Sequence, residues 1–422
     1  MSNNNQHIPS GYKASPLGII PEDWEVKRLG EIGDFSKGNG VPKDKIIKDE
    51  HGHPCLTYGD LYTKYDFVIK DIKSFIDDDV ASESKEIHIG DICFAGSGET
   101  PEDIGKCAAY IEERTAYAGG DIIILSPNKD INSIWLSYVL NSDIGGKQRY
   151  KSAQGFSIVH IYPDNLKRIQ IPIPTLKEQH RIVSVLSLWD TAIAKQTAMI
   201  EQLTLRKRGL KQQLLTGKKR LKGFEGEWKE VRLGEVALVI GGGTPNTNIS
   251  DYWDGDIPWF TPSEIGENKY VNISERTISE KGLHDSSAKI LPKGTILFTS
   301  RATIGAKAIL TTEATTNQGF QSLVVINGNN NEFIYYYLDI IINEIKQKAS
   351  GSTFPEVSAE SIRKTAIKIP NVNEQNAIAS VLVNADKEIE IQKQKLSDLQ
   401  EQKRGLMQVL LTGKRRIKKM EE

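Results

Sequence analysis

The sequence predicts an α+β protein with two similar globular domains, separated by two long antiparallel coiled-coil helices, in a pseudo-twofold internal repeat. The first observation is a repeated segment, in which Pro174–Ile182 matches Pro370–Ile378 at an offset of 196 positions. The same offset holds through Leu214–Lys218 and Leu410–Lys414. A fixed offset over about forty residues indicates a duplicated unit.

The second observation is a fainter repeat in the globular parts, where Trp24 pairs with Trp228 at an offset of 204 positions. Short β-type runs bounded by Gly, Pro, Asn and Asp lie between such anchors, at Ile87–Ala95, Asp121–Ser126 and Leu323–Ile326. Each half also contains one apolar helix-like segment, Ile131–Leu140 or Phe333–Ile345. Each globular half is therefore predicted to be α+β.

The long helices have clear start and stop signals. Thr175–Glu178 and Asn371–Glu374 are capping boxes that follow prolines, and Gly217 and Gly413 are the matching stops. About forty residues give a helix of roughly 60 Å. The predicted boundaries are a first domain at 1–174, a first spacer helix at 175–217, a second domain at 218–370, a second spacer helix at 371–413 and a basic tail at 414–422.

A heptad stripe typical of a coiled-coil seam runs along both helices. An antiparallel pair would bring Gln196 near Lys403 and Lys207 near Gln392, and such polar seam residues fix register at a cost in stability. The stripe comprises Ile182, Leu186, Trp189, Ile193, Gln196, Ile200, Leu203, Lys207, Leu210 and Leu214 in the first helix, and Ile378, Leu382, Ala385, Ile389, Gln392, Leu396, Leu399, Lys403, Leu406 and Leu410 in the second.

Composition bounds the class of protein. A formal net charge of −1 over 422 residues excludes a polycation, so any nucleic-acid binding needs local basic faces. Three cysteines without a CxxC spacing argue against a disulfide framework or a zinc cluster. With a polar N-terminus and no apolar run of bilayer length, we expect a cytoplasmic protein without membrane contact.

Catalytic motifs are not found in the sequence, so we expect no chemistry in this chain. There is no GxxxxGK[ST] loop, no HExxH pair and no Asn/Asp-Pro-Pro-aromatic motif of amino-methyltransferases. His51 and His53 are interpreted as turn residues and not as metal ligands, and no metal site is predicted. The glycines of Gly241–Pro245 favour a tight turn over a phosphate cradle.

Several segments together resemble the specificity subunit of type I restriction-modification systems, over nearly the whole chain. They are Gly18–Glu25, Gly242–Pro245, Ile257–Trp259, Glu178-Gln followed by Ile182, and the twin Leu-Leu-Thr-Gly-Lys ends. The resemblance implies two target-recognition domains that each read one half of a split double-stranded DNA sequence. It also implies that the helices are a ruler and a platform for two adenine methyltransferase subunits, which would bind S-adenosylmethionine and which restriction/translocase subunits would join. Two domains on a rigid spacer suit half-sites about one turn apart, roughly 34–36 Å.

Base readout requires polar, planar or cationic side chains on loops. The first candidates lie at matched places in the two halves, and we expect Glu99 to suit cytosine and Arg301 to suit guanine. Ordinary solvated loop residues are the alternative for each candidate. This set comprises Ser97, Glu99, Thr100 and Lys106 in the first half and Thr299, Ser300, Arg301, Thr303, Asn317 and Gln318 in the second.

A second pair of loops and two basic clusters are further candidates for DNA contact. The loop residues are Ser152, Gln154 and Ser157 in the first half and Ser352 and Thr353 in the second; a flexible hairpin tip is the alternative. Lys218–Lys222 and Lys414–Lys419 follow the helix ends, where they would bind phosphate or a partner, or remain solvated.

Two other classes of function stay open at this level. A coiled-coil scaffold with paired domains that bind protein or carbohydrate, without any DNA role, is compatible with a charge near zero. A standalone enzyme is disfavoured by the missing motifs.

Overall fold

The computed structural model describes residues 8–155, 158–301, 303–350 and 355–417. The chain divides into two compact units. Unit 1 contains the described residues up to Gln196 and those from Lys395 onward, and unit 2 is Thr197–Gln394. Each unit therefore holds one globular domain together with half of each long helix.

The first domain is built from short strands and short helices. The strands are β1 Tyr12–Ser15, β2 Gly18–Pro21, β3 Glu25–Arg28, β4 Gly33–Lys37, β5 His53–Leu56, β6 Val68–Ile69, β7 Phe75–Ile76, β8 Lys85–Ile87, β9 Ile92–Ala95, β10 Ser97–Gly98, β11 Cys107–Tyr110, β12 Ala116–Ala118, β13 Ile122–Pro127, β14 Val159–His160 and β15 Gln170–Ile173. The helices are α1 Tyr58–Thr63, α2 Asp78–Glu83, α3 Ser133–Asn141, α4 Asp143–Lys151 and α5 Pro163–Lys167.

Among the described residues of this domain, the largest sheet has five strands in the order β4-β13-β9-β11-β6. A second sheet has the order β7-β5-β12-β8, and β15 pairs with β3 beside the start of the first long helix. The core between the five-stranded sheet and α3 is apolar, and it is centred on Trp24, Phe94 and Trp135, whose side chains are fully buried. Burial of such large apolar surfaces is the main favourable term in folding.

The second domain repeats this plan. Its strands are β16 Lys229–Arg232, β17 Ala237–Gly241, β18 Trp253–Phe260, β19 Tyr270–Val271, β20 Arg276–Ile278, β21 Ile296–Phe298, β22 Lys307–Leu310, β23 Thr315–Thr316, β24 Gln321–Val325 and β25 Ala366–Ile369. Its helices are α7 Leu233–Val236, α8 Glu280–His284, α9 Asn331–Gln347 and α10 Ala359–Arg363.

Its five-stranded sheet has the order β17-β24-β21-β22-β19 among the described residues, which is the order of the first domain strand for strand. The pair β16 and β25 repeats the pair β3 and β15. The apolar helix-like segments predicted in both halves are α3 and α9. The α+β class with an internal repeat is therefore confirmed.

The two long helices are α6, Leu176–Leu215, and α11, Val372–Leu410. In unit 1 their chains run antiparallel, because Glu178 pairs with Arg416, beyond the end of α11, whereas Asp190 pairs with Lys403. Unit 2 repeats this with Glu374 and Arg220. The stripe predicted from the sequence is buried or half-buried along both helices, and most residues between its positions are exposed.

Both long helices are followed by a glycine in the left-handed region. Gly217 has φ +68° and Gly413 has φ +70°, conformations that an L side chain rarely adopts. A Cβ on Gly413 would also overlap Pro21, so this end is packed against the first domain. No helix in the described part of the chain is long and apolar enough to cross a membrane.

Two local predictions were wrong. The run Ile87–Ala95 is two strands, β8 and β9, separated by a turn in which Gly90 has φ +95°. The glycines after β17 do not form a tight turn. Residues 242–245 carry no turn, and a Cβ on Gly242 would overlap Asn317 and Thr316, so close packing requires the glycine.

Candidate DNA interface and its anchors

Each domain brings its two predicted loops together at one short backbone ladder. In the second domain, Ser350 and Glu356 exchange two backbone hydrogen bonds of 3.0 and 2.9 Å, and Arg301 bridges to Glu356. In the first domain, Gln154 and His160 exchange bonds of 3.0 and 2.7 Å, and Ser97 pairs with His160. The clustering of the loops is therefore a shared feature of both domains.

The backbone hydrogen bonds also establish which residues are equivalent. Ile161 donates to Gly96 at 3.0 Å, and Val357 donates to Ser300 at 3.1 Å. Counting from these bonds, Ser97 corresponds to Arg301, and His160 corresponds to Glu356.

The predicted pairing of Glu99 with Arg301 was wrong. Six residues separate Ser97 from Ile104, whereas two separate Arg301 from Ile304. Glu99 and Thr100 therefore lie on an insertion without a counterpart in the second domain. Both are exposed, and Thr100 bonds Asp103 at 3.2 Å. The carboxylates of Glu99 and Asp103 disfavour close approach of this insertion to a phosphate.

Three of the predicted readout residues hold the framework and are buried. Thr299 Oγ1 donates to the carbonyl oxygen of Thr303 at 2.6 Å, and Ser300 Oγ donates to Gly319 at 3.2 Å. Ser97 is only 4% exposed. Thr299 and Ser300 are not available to a base in this arrangement, because their hydroxyls already pair with the backbone and both residues are fully buried.

The remaining candidates are accessible. Arg301, Thr303 and Gln318 are exposed and Asn317 is half-buried. Asn317 accepts from the Gly319 amide at 2.8 Å, and Gln318 accepts from Thr244. Thr244 was not among the predicted residues, and no periodicity marks it. Thr244 follows the glycines that pack on Asn317. That position in the sequence could have identified it as a residue of this site.

The second pair of loops is described only in part. Ser152 donates to the Gln148 carbonyl at 3.0 Å and Gln154 is exposed beside the ladder. Lys106 is half-buried and pairs with Asp66 at 3.3 Å, so its charge is partly compensated. Three predicted residues lie outside the described residues, namely Ser157, Ser352 and Thr353.

A tyrosine, an aspartate and a lysine join each domain to both long helices. In unit 1, Tyr138 on α3 donates to Asp190 on α6, which also accepts from Lys403 on α11. Burial lowers the pKa of Lys403, an effect that Asp190 opposes. Asp190 is thus a partner of this lysine that the sequence analysis did not predict.

Unit 2 repeats the junction with residues of the same type. Tyr336 on α9 donates to Asp386 on α11, and Lys207 on α6 pairs with the same carboxylate. Asp386 is therefore a partner of Lys207 that the sequence analysis did not predict. Both aspartates lie beside the seam. Because they are polar, a search for apolar periodicity does not identify them.

The Glu-Gln pair at each helix start holds the domain and the end of the opposite helix. Glu178 accepts from Trp24 Nε1 at 3.1 Å and from Arg416 Nε at 2.7 Å. The adjacent Gln179 accepts from the Asn132 amide at 2.7 Å. The predicted capping role of Glu178 was wrong, because its carboxylate faces these donors.

The second start is equivalent. Glu374 accepts both Arg220 Nε and Nη2, at 2.5 and 2.7 Å, and Gln375 accepts from the Asn330 amide at 3.0 Å. Asn371 does cap this helix, accepting from the Glu374 amide at 3.1 Å.

The basic clusters after the helices are therefore divided in role. Arg220 and Arg416 are committed to intramolecular carboxylates. Lys218, Lys219, Lys222, Lys414 and Arg415 remain exposed, as phosphate or partner contacts require. Lys418 and Lys419 lie outside the described residues.

The three cysteine thiols are buried. Burial raises the pKa of Cys55 and of Cys107 to about 12, and that of Cys93 well above its usual value. These thiols are protonated at neutral pH. In the described ranges, no group of three or more His, Cys, Asp or Glu side chains is placed to hold a metal ion.

Comparisons with known proteins agree with this geometry. The family model for the type I restriction modification DNA specificity domain matches twice, at residues 21–205 and 225–401. The putative type I restriction enzyme MjaX specificity subunit of Methanocaldococcus jannaschii is 29% identical over 96% of this chain and 97% of its own length. The MjaIX specificity subunit of the same organism is 41% identical, and that match covers 40% of each chain.

Solved structures share the fold. The type I restriction-modification S subunit from M. genitalium matches 92% of this chain and 96% of its own with a TM-score of 0.55 at 17% identity. A chain from work on complex assembly and conformational transition of the type I R-M system matches 93% and 99% with a TM-score of 0.63 at 19% identity. Together with the double match to the family model, which spans most of the sequence, these likenesses show that the chain belongs to the type I restriction-modification specificity subunits.

Proposed function

We propose that this chain is the non-catalytic DNA-reading subunit of a type I restriction-modification complex. Each domain reads one half-site of a bipartite, asymmetric target in double-stranded DNA. Two adenine methyltransferase subunits, which bind S-adenosylmethionine, dock on the chain, and restriction subunits join through them.

One observation carries the proposal. The loop ladder has equivalent backbone hydrogen bonds in both domains, yet it holds His160 beside the buried Ser97 in one and Arg301 beside Glu356 in the other. A common framework with different readout groups suits two unlike half-sites, because base identity is read by hydrogen bonds to the edges of the bases. The target is then asymmetric although the domains are alike.

The long helices support the part of the proposal that concerns the fixed distance between the two half-sites. A helix of 40 residues, such as α6, extends about 60 Å and has no interruption. In this proposal a stiff connection fixes the number of base pairs between the half-sites, and the bases between them are not read.

The test is a map of methylated adenines in a host that expresses this chain with its methyltransferase subunits. We expect a split motif with two different halves and an invariant gap. Arg301→Ala should alter one half only. Methylation without any sequence motif, or a continuous motif without a gap, would contradict the proposal.

A further inference from the structure

We infer that the cross-strand pair at the loop ladder, Ser97 with His160 or Arg301 with Glu356, sets the base preference of each domain. In the second domain Arg301 is the reading residue, and Glu356 is the residue that positions it. This inference rests on the proposed DNA-reading function and names the residues that carry it.

The surroundings of the pair are alike in the two domains, whereas the pair itself differs. Thr299 and Ala306 repeat the hydrogen bond of Ala95 and Lys106, at 2.9 Å in both cases. Gly305 is in the left-handed region, as is the matching glycine of the first domain. The backbone therefore places the two residues of the pair at equivalent positions in the two domains.

Stability does not explain the ion pair of the second domain. Glu356 Oε2 lies 2.9 Å from Arg301 Nε, and the two side chains are 35% and 45% exposed. Exposed pairs of this kind contribute little to folding. What the pair does supply is orientation, since a carboxylate on Nε holds the plane of the guanidinium group.

The orientation suits guanine. With Nε engaged by Glu356, the two Nη nitrogens at the end of Arg301 are the donors for a base. Guanine presents O6 and N7 as adjacent acceptors in the major groove, which a planar fork matches. Glu356 also lowers the local positive charge, so Arg301 is held to one geometry and is not free to follow any nearby phosphate.

The first domain has a hydroxyl and an imidazole at the same place. Ser97 Oγ and His160 Nδ1 are 3.0 Å apart, and the imidazole stacks on Tyr162 with ring centroids 6.4 Å apart. His160 thus has a fixed ring plane and presents its other nitrogen, Nε2. A single imidazole nitrogen makes one hydrogen bond where a guanidinium makes two, so the two half-sites differ in sequence.

The experiment is a selection of bound sequences from a pool of randomised duplex DNA, using the full chain with its methyltransferase subunits. The wild type should enrich two short blocks with a fixed gap. Arg301→Ala should reduce the preference for guanine at one base pair of one block by about 5- to 150-fold, the range of a lost bidentate contact. Arg301→Lys should lose the same preference, because an ammonium group keeps the charge but not the fork.

The positioning role has its own readout. Glu356→Ala should weaken the same preference while binding to random DNA stays equal or increases, a result that a merely structural role does not produce. Glu356→Gln, which keeps an acceptor oxygen, should retain most of the preference. His160→Ala should alter only the other block. Asp251→Ala, which removes an exposed ion pair with Lys281 in the same domain, is the matched control and should change neither block.

The outcomes distinguish a failure of the inference from a failure of the proposed function. If the wild type enriches two blocks but Arg301→Ala and Arg301→Lys leave both intact, the inference is overturned and the proposed function stands. The same holds if Arg301→Ala and His160→Ala alter one and the same block. If the wild type enriches no sequence at all, the proposed function fails and the inference fails with it.

Discussion

Single carboxylates join each domain to the helices that leave it. Glu374 is fully buried and accepts two hydrogen bonds from Arg220, and Glu178 is 6% exposed and accepts from Trp24 and Arg416. A buried charge is tolerated only when its lone pairs are satisfied, so removal of one partner costs more than the pair contributes. These glutamates are therefore sensitive positions for stability, although they lie outside the proposed reading loops.

We expect Glu374→Gln to lower the free energy of unfolding by about 1–3 kcal/mol, because Arg220 loses its charged partner. Urea unfolding of the full chain measures the change. Glu388→Gln, which removes an exposed pair with Arg206, is the control and should cost less than about 1 kcal/mol. Equal losses in the two variants would contradict the assigned role of Glu374.

Lys307 gives a second prediction, for pH dependence. Its ammonium donates to the Tyr335 carbonyl at 2.8 Å and pairs with Asp339 at 2.6 Å, and burial lowers its pKa to about 8 from an ordinary value of 10.5. Between these two values the unfolded chain binds more protons at this residue than the folded chain. Its contribution to stability therefore rises as pH increases through that window.

Relative to Lys307→Met, the wild type should gain about 1 kcal/mol or less per pH unit from pH ~8 towards ~10. Urea unfolding of both proteins across that range measures the difference. The exposed Lys281→Met variant should run parallel to the wild type. A constant difference between wild type and Lys307→Met would show that the pKa of Lys307 is not lowered in the fold.

At the scale of elements, the two long helices are held by polar contacts within an apolar seam. Lys403 is 5% exposed and lies 3.8 Å from the centroid of the Phe67 ring while pairing with Asp190. Lys207 makes the matching pair with Asp386. Because each lysine has an aspartate on the other helix, a shift of one helix along the other would leave both charges without partners. The pairs thus specify register.

Replacing Lys207 and Lys403 together by leucine should therefore favour misregistered or oligomeric species over the wild-type form. Size-exclusion chromatography with light scattering measures the distribution. Leucine at Lys195 and Lys393, exposed lysines on the same helices, is the matched control. A double variant with the wild-type mass, a raised melting temperature and intact DNA binding would argue against a register role.

At the scale of the whole molecule, the repeat places residues of the same type at equivalent positions in the two halves. A residue of one half can therefore make the contact that its equivalent makes in the other. Arg220 follows the first helix as Arg416 follows the second, and each pairs with the glutamate that starts the other helix. Lys207 and Lys403 have the same relation. A half-length chain therefore contains residues for both sides of the glutamate–arginine and aspartate–lysine pairs that it loses.

We expect a fragment of residues 1–222 to form a homodimer in which Glu178 of one copy pairs with Arg220 of the other. Light scattering should give twice the fragment mass, and Arg220→Ala should shift the equilibrium towards monomer. Lys222→Ala, an exposed neighbour, should not. A fragment that stays monomeric at micromolar concentration would mean that the two halves are not interchangeable. Under the proposed function, this dimer should bind two copies of one half-site.

The sequence predicted the fold well because its signals are repeated. The heptad stripe, the stops at Gly217 and Gly413, and the helices α3 and α9 all follow from local patterns that tertiary contacts then reinforce. The Ile87–Ala95 run was misread because the turn signal Gly90-Asp91, which separates β8 from β9, was counted as part of one strand.

The candidate site was less predictable from sequence. The sequence pointed to two loops in each domain but not to their meeting at one ladder, and Glu99 was matched with Arg301 because an insertion is invisible without the backbone register. Asp190 and Asp386 were missed as partners of the lysines, since a polar residue beside a seam has no periodic signal. Which hydroxyls are buried depends on contacts between separate segments, as for Ser300, whose hydroxyl donates to Gly319.

The Glu-Gln start of each long helix has a genetic consequence. Its contacts run to the domain before it and to the end of the opposite helix, and the same residue types perform them at both starts. In the proposed function, exchange of the sequence that precedes one of these starts would replace one whole reading domain and keep the glutamate–arginine and glutamine–amide contacts of that joint. New specificities would then arise by exchange of domains, with these contacts already in place.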